Sequence, residues 1–312
     1  MSRMHRLSLV LTTFALTWCH TATSHAQGLL WSLPEDGSVV EYAGKYLNRQ
    51  ERPGNNAGPL ELEWDSQLTI QSVGEESAEF EGLPTPCRWI EFKTVTGRPS
   101  TKGVEADAGI DAGPHGVRIY KVLIPISRVK GQLRDESELP VTYLPIVKGF
   151  RKIGQLPAQP IKEKVLAFYP MLGLFANYLD LAQQGEPAEL DLPNLGPVKT
   201  KLMKGTLKLQ NQTSKSLNVG EIWLSDDIPF GWAKYHVKLT REEKDITAPV
   251  TAFAPAAEIE VEMTVVKKET TGAKSEIGEV AEDTASPAEE KAEKTEAEKP
   301  ETEKAEDTEK TE

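Results

Sequence analysis

The sequence predicts an α+β fold: a curved, half-barrel-like antiparallel β-sheet with one helical segment packed on it, followed by a disordered C-terminal tail. Three observations predict it. Apolar and polar residues alternate at period two in segment after segment, the mark of strands with one dry and one wet face. One central stretch, 162–184, instead repeats apolar residues at spacings of three and four. From Lys267 to Glu312 the chain is almost entirely Glu, Lys, Ala, Thr, Ser and Pro, with no aromatic residue.

The amino terminus reads as a targeting segment. Arg3 and Arg6 precede an apolar core from Leu7 to Cys19, long enough for a signal peptide and too short to span a bilayer. Ser24-His25-Ala26 places small residues where signal peptidase needs them, so cleavage is expected after Ala26 and residues 1–26 are removed. Trp18 is too bulky to precede a lipid-modified Cys19. No later segment is apolar for long enough to cross a membrane; 165–181 is interrupted by Pro170, Asn177 and Asp180. The expected location is therefore the periplasm, the cell envelope or the extracellular space.

Residues 27–266 are expected to form a single β-rich domain. Strand patterns cover 39–42, 60–65, 67–73, 88–95 and 117–124, and later 199–209, 217–224, 232–239 and 258–265. Between these groups, 134–159 is rich in Pro, Gly and charge. In 162–184 the residues Leu166, Tyr169, Leu172, Phe175, Leu179 and Ala182 would share a helical face, with a kink at Pro170 and a stop at Gly185. A second arrangement is two smaller β units joined by that segment.

The tail, 267–312, holds 16 acidic residues and 8 lysines, so most of the chain's net charge of −12 sits there. It cannot bury enough apolar surface to offset its ordering entropy and reads as a solvated spacer.

Several chemistries are disfavoured. A net acidic chain without a Lys/Arg stripe is a poor ligand for nucleic acid. Removal of residues 1–26 leaves Cys87 alone, so no intrachain disulfide can form, and Cys87 beside Trp89 reads as a buried thiol. His115 and His236 are too far apart in sequence to suggest a zinc site, and no phosphate loop or nucleophile elbow occurs. Asp107 and Asp111 lie among glycines in the loop 97–116 but lack the remaining oxygen ligands of a calcium loop. Asn211-Gln212-Thr213 matches a glycosylation acceptor without other support. No catalytic residue, cofactor or metal is predicted.

The most specific segment is Glu221-Ile-Trp-Leu-Ser-Asp-Asp-Ile-Pro-Phe-Gly-Trp232, a strand, an acidic turn, a Pro/Gly corner and a second strand. Trp223, Phe230 and Trp232 would either wall a pocket or fill the core at a sheet corner. The stretch resembles one in periplasmic lipoprotein-carrier-like β-half-barrel proteins. That resemblance implies a curved antiparallel sheet cupping a helix around an apolar cavity, and it brings no catalytic residue. The leading expectation is an exported, non-enzymatic envelope protein binding an apolar or amphipathic ligand, such as a lipid, on the concave face of its sheet. The alternatives are a structural or interaction protein of the envelope with the tail as spacer, and a carboxylate-based hydrolase. For the hydrolase, Glu61, Glu63, Asp65, Asp226 and Asp227 are the available acids, although alternation puts the first three on a wet face.

Overall fold

Alternating sequences need partners on both sides, and in this chain nearly every strand finds one next to it in sequence. The computed structural model describes residues 30–100, 109–113, 116–129, 144–166, 174–176, 178 and 180–278. The signal segment with its cleavage site at Ala26, Asp107, His115 and the tail beyond Gly278 lie outside the described residues.

The strands are β1 (Val39–Gln50), β2 (Leu60–Phe80), β3 (Leu83–Pro99), β4 (Ile110–Asp111), β5 (Val117–Pro125), β6 (Leu144–Pro145), β7 (Lys148–Ile153), β8 (Gln159–Pro160), β9 (Val165–Leu166), β10 (Ala182–Gln183), β11 (Ala188–Leu192), β12 (Gly196–Gln210), β13 (Ser214–Leu224), β14 (Trp232–Glu243) and β15 (Ala254–Glu269). Thirteen of these belong to one sheet in the order β10-β12-β13-β14-β15-β1-β2-β3-β5-β7-β8, with β11 also on β12 and β4 also on β3; β6 and β9 form a separate pair. Every pairing is antiparallel. The centre of the sheet is the seam where β1 joins β15, Val39 opposite Glu269 through Gln50 opposite Ala257.

Local chemistry sets the turns. Glu81 and Gly82 both have positive φ, 54° and 80°, and reverse the chain between β2 and β3 in the sense that matches strand twist. Between β12 and β13 the Asn211 side chain accepts the backbone N–H groups of Thr213 (2.9 Å) and Ser214 (2.7 Å). The Asn of the glycosylation match is thus engaged in closing a hairpin.

The sheet curls. Strands β14 and β5 stand five places apart, roughly 24 Å in a flat sheet. Yet Tyr235 of β14 and Tyr120 of β5 line one cavity. Bulges at Glu41/Tyr42, Ser72/Glu75, Trp223/Leu224 and Arg241/Glu242 add the local twist that curling needs. The inner face carries the main core: Val40 and Tyr42 of β1, Leu68 and Ile70 of β2, Ile90 and Phe92 of β3, Val122 and Ile124 of β5, Tyr235 and Val237 of β14, and Val261, Met263 and Val265 of β15.

The expected α+β class is overturned: the protein is an all-β sheet, and the described residues contain no α-helix. Their helical turns Ile126–Arg128, Pro229–Gly231 and Val250–Ala252 are 3-10 turns of three residues each. The segment 162–184 begins as strand β9 and ends as strand β10. Leu174 adopts φ 53°, a left-handed conformation that ends any helix. Its apolar residues do reach the core: Leu166, Phe175, Tyr178 and Leu181 are buried. The described residues 174–176, 178 and 181 are neither helix nor strand and carry their apolar side chains onto the sheet; Tyr169, Leu172 and Leu179 lie outside the described residues.

Candidate ligand-binding site

The crossing of 174–181 over the inner face shapes the site. Gly205 of β12 and Gly220 of β13 face each other directly. The Tyr178 ring lies on them: a Cβ at Gly220 would come within 2.5 Å of the Tyr178 hydroxyl oxygen, and one at Gly205 would overlap the same side chain. The Tyr178 hydroxyl donates to Asn218 Oδ1 at 2.5 Å, and Asn218 Nδ2 donates to the Leu174 carbonyl at 3.2 Å. Burial pushes the Tyr178 phenol well above its ordinary pKa, so it stays a neutral donor. Phe175 packs against Tyr235, ring centres 4.7 Å apart. Leu174 is thereby held over the middle of the sheet.

Beneath Leu174 lies a cavity of about 410 Å³. Its walls differ in character. Tyr235 of β14, Val261 and Met263 of β15, Leu68 of β2 and Leu174 form an apolar side, with Tyr46 against Trp64 (ring centres 5.3 Å) at its edge. Ser66 of β2, Thr94 and Thr96 of β3 and Arg118 of β5 form a polar side. These four are contiguous because Ser66 pairs with Thr96, and Thr94 with Arg118. Arg118 is exposed, which puts its guanidinium at the mouth. No carboxylate lines the cavity among the described residues.

The three aromatics singled out in the sequence do not gather at this cavity. Phe230 and Trp232 are fully buried core. Trp232 stacks on Tyr42 at 3.6 Å with planes 8° apart, and its carbonyl accepts the Tyr42 hydroxyl at 3.2 Å. Phe230 holds a positive φ of 67° in the corner before β14, where its carbonyl accepts the N–H groups of Trp31 (2.9 Å) and Ser32 (3.3 Å). Trp223 is half-buried under the Lys234 ammonium, 5.3 Å above its ring.

The candidate hydrolase acids lie elsewhere. Glu61 and Glu63 are exposed on the outer face, where Glu63 pairs with Lys45 at 2.5 Å, and Asp65 is partly exposed. Asp226 and Asp227 are exposed in the corner between β13 and β14. His236 stands between Glu260 (2.7 Å) and Glu221 (3.7 Å) in a charged ladder across the outer face. Lys204 at 2.8 Å holds Glu221 below the usual carboxylate range, with His236 adding to the effect. Cys87 is buried, its thiol pushed up by desolvation and directed at the Thr85 carbonyl (3.3 Å). The exposed Asp111 carboxylate accepts the Gly113 N–H at 3.4 Å. Among the described residues no three His, Cys, Asp or Glu side chains group as metal ligands.

A polar cluster that the sequence did not announce closes the outer face. Glu91 of β3 is fully buried. Its carboxylate accepts from Gln71 Nε2 (2.8 Å), Ser275 Oγ (2.7 Å) and the N–H groups of Glu276 (3.0 Å) and Ile277 (3.4 Å). Lys121, directly opposite Glu91, donates to the Ile277 carbonyl at 3.0 Å, and Lys93 pairs with Glu276 at 3.0 Å. Residues 267–277, read from composition as the head of the tail, therefore finish β15 and then bind across β2, β3 and β5. Alternation assigns Glu91 to the wet face; only the return of the distant segment makes that position dry.

No family model matches the chain, and no curated protein matches it. Among solved structures it is similar to a chain described as a "putative lipoprotein" from Parabacteroides distasonis, with 10% identity, 78% of this chain and 100% of that chain covered, and a TM-score of 0.30. It is also similar to DynF from the dynemicin biosynthesis pathway of Micromonospora chersina, with 11% identity, 78% and 89% coverage, and a TM-score of 0.20. At these scores neither likeness carries an argument about fold or function. No described helix is long and apolar enough to cross a membrane.

Proposed function

We propose that the protein is an exported, non-enzymatic envelope protein that binds an apolar or amphipathic ligand on the inner face of its curled sheet. The observation that carries the reading is the cavity of about 410 Å³ under Leu174, with one apolar and one polar wall. Its size falls within the roughly 300–1,000 Å³ of small-molecule sites, and such sites pair apolar walls with a few placed polar groups. Export rests on the sequence of residues 1–26. A second reading, an interaction protein whose acidic tail is a spacer, is favoured by the docking of 274–277, which fixes where the chain leaves the sheet.

The test is titration of the purified protein with N-phenyl-1-naphthylamine, a neutral apolar fluorophore. A saturable rise in fluorescence is expected. Ser66→Trp places an indole in the cavity from a partly exposed position and should weaken binding by roughly tenfold or more, with the circular dichroism spectrum unchanged. Unsaturable binding, or equal binding by Ser66→Trp, removes the site.

A further inference from the structure

We propose that the ligand is a single-chain amphiphile with an anionic head, and that Arg118 selects the head. The inference rests on the binding reading above and adds the chemistry of what is bound. The cavity is asymmetric. Leu68, Leu174, Tyr235, Val261 and Met263 offer hydrocarbon on one side, whereas the other carries the hydroxyls of Ser66, Thr94 and Thr96 and the Arg118 guanidinium, with the Tyr120 ring beside them. Arg118 is the one charged side chain among the described lining residues. None of the ion pairs among the described residues uses it, in contrast to the paired lysines of the outer face. Thr94 sits opposite Arg118 across the strand pair, and Thr96 and Ser66 continue the polar strip.

An acyl chain laid on the apolar wall brings its head to that strip. There the guanidinium donates two parallel N–H groups, a fork that fits a carboxylate or a phosphate equally well. A cationic head would meet Arg118 as a like charge with no described carboxylate on the wall to offset it. The volume sits at the small end of the range for such sites, which suits one hydrocarbon chain rather than several. The chain as a whole carries −12, so its long-range field favours cations. A preference for anions is therefore a local property of the site and can be read as such.

The experiment displaces bound N-phenyl-1-naphthylamine with four amphiphiles of equal chain length: dodecanoate, dodecyl phosphate, dodecanol and dodecyltrimethylammonium. Dodecanoate, dodecyl phosphate or both should bind roughly tenfold tighter than the ammonium, the scale of one charge-assisted hydrogen-bond pair. The stronger of the two anions identifies the head as carboxylate or phosphate. Arg118→Gln should erase the preference for anionic over cationic heads, and Arg118→Lys, which keeps charge but loses the fork, should restore part of it. Equal affinities for anionic and cationic heads, or a preference that survives Arg118→Gln, overturns the inference while leaving a neutral-ligand site intact. If the fluorophore binds and no amphiphile displaces it, the inference also fails. Absence of saturable fluorophore binding defeats the underlying reading instead.

Discussion

Glu91 shows how a single side chain can tie distant parts of the fold together. A carboxylate taken wholly out of water must have its lone pairs filled, and here two backbone N–H groups, an amide and a hydroxyl fill them. Removing it takes an acceptor from four donors at once, of which Gln71 and Ser275 keep a second acceptor in the Lys274 and Ile277 carbonyls. Glu91→Ala is expected to lower unfolding stability by about 2–4 kcal/mol, and Glu91→Gln, which keeps one carbonyl acceptor, by less. Urea denaturation measures both; a loss below the error of the method for Glu91→Ala would show that water replaces the carboxylate freely. The sequence hides this residue because Arg88-Trp-Ile-Glu-Phe-Lys reads as an ordinary alternating strand, and three of its four partners lie more than 180 residues later. The aromatics teach the converse. Trp223, Phe230 and Trp232 are conspicuous in sequence, but strand parity and the corner before β14 send them into core and surface stacking, away from the cavity.

At the level of elements, the period-two segments each lie within a strand, and 60–65 and 67–73 fuse into the single long β2. Alternation is a local property, so sequence carries it directly. The segment 162–184 was not legible, because three-four spacing describes which residues go down and not the backbone path that takes them there. What decides the path is the sheet beneath. Gly205 and Gly220 leave a flat seat that the Tyr178 ring fills, with Leu181 beside it at Gly205. Gly220→Ala should therefore cost about 1–3 kcal/mol through overpacking, unlike the small change expected of Gly-to-Ala in an open strand. The double variant Gly220→Ala, Tyr178→Ala should cost less than the sum of the single changes, since the clash is gone once the ring is removed. Strict additivity in chemical denaturation would mean that the ring does not occupy this seat. The cavity depends on the same contact, because Tyr178 and Asn218 hold Leu174 in place.

For the whole molecule, the extent of the sheet-bound chain among the described residues is set by where the last backbone groups are bonded. Composition changes at Lys267, but hydrogen bonding to the sheet continues to Ile277. A chain ending at Gly278 should melt within about 2 °C of the full-length protein. One ending at Val266 loses the end of β15 and all the C-terminal partners of Glu91, and should melt roughly 5–15 °C lower. Differential scanning calorimetry separates the two; equal melting temperatures would place the boundary at the compositional change.

The seam between β1 and β15 has a consequence for the order of events in the cell. A polypeptide delivered amino end first presents β1 long before β15 exists, so one side of the first strand waits through some two hundred residues for its neighbour. Until then the nascent half-sheet carries an open row of amides and carbonyls in what will become its middle, a template for mispairing. A topology that cannot close early leaves completion of the sheet to β15, the strand that pairs with both β1 and β14.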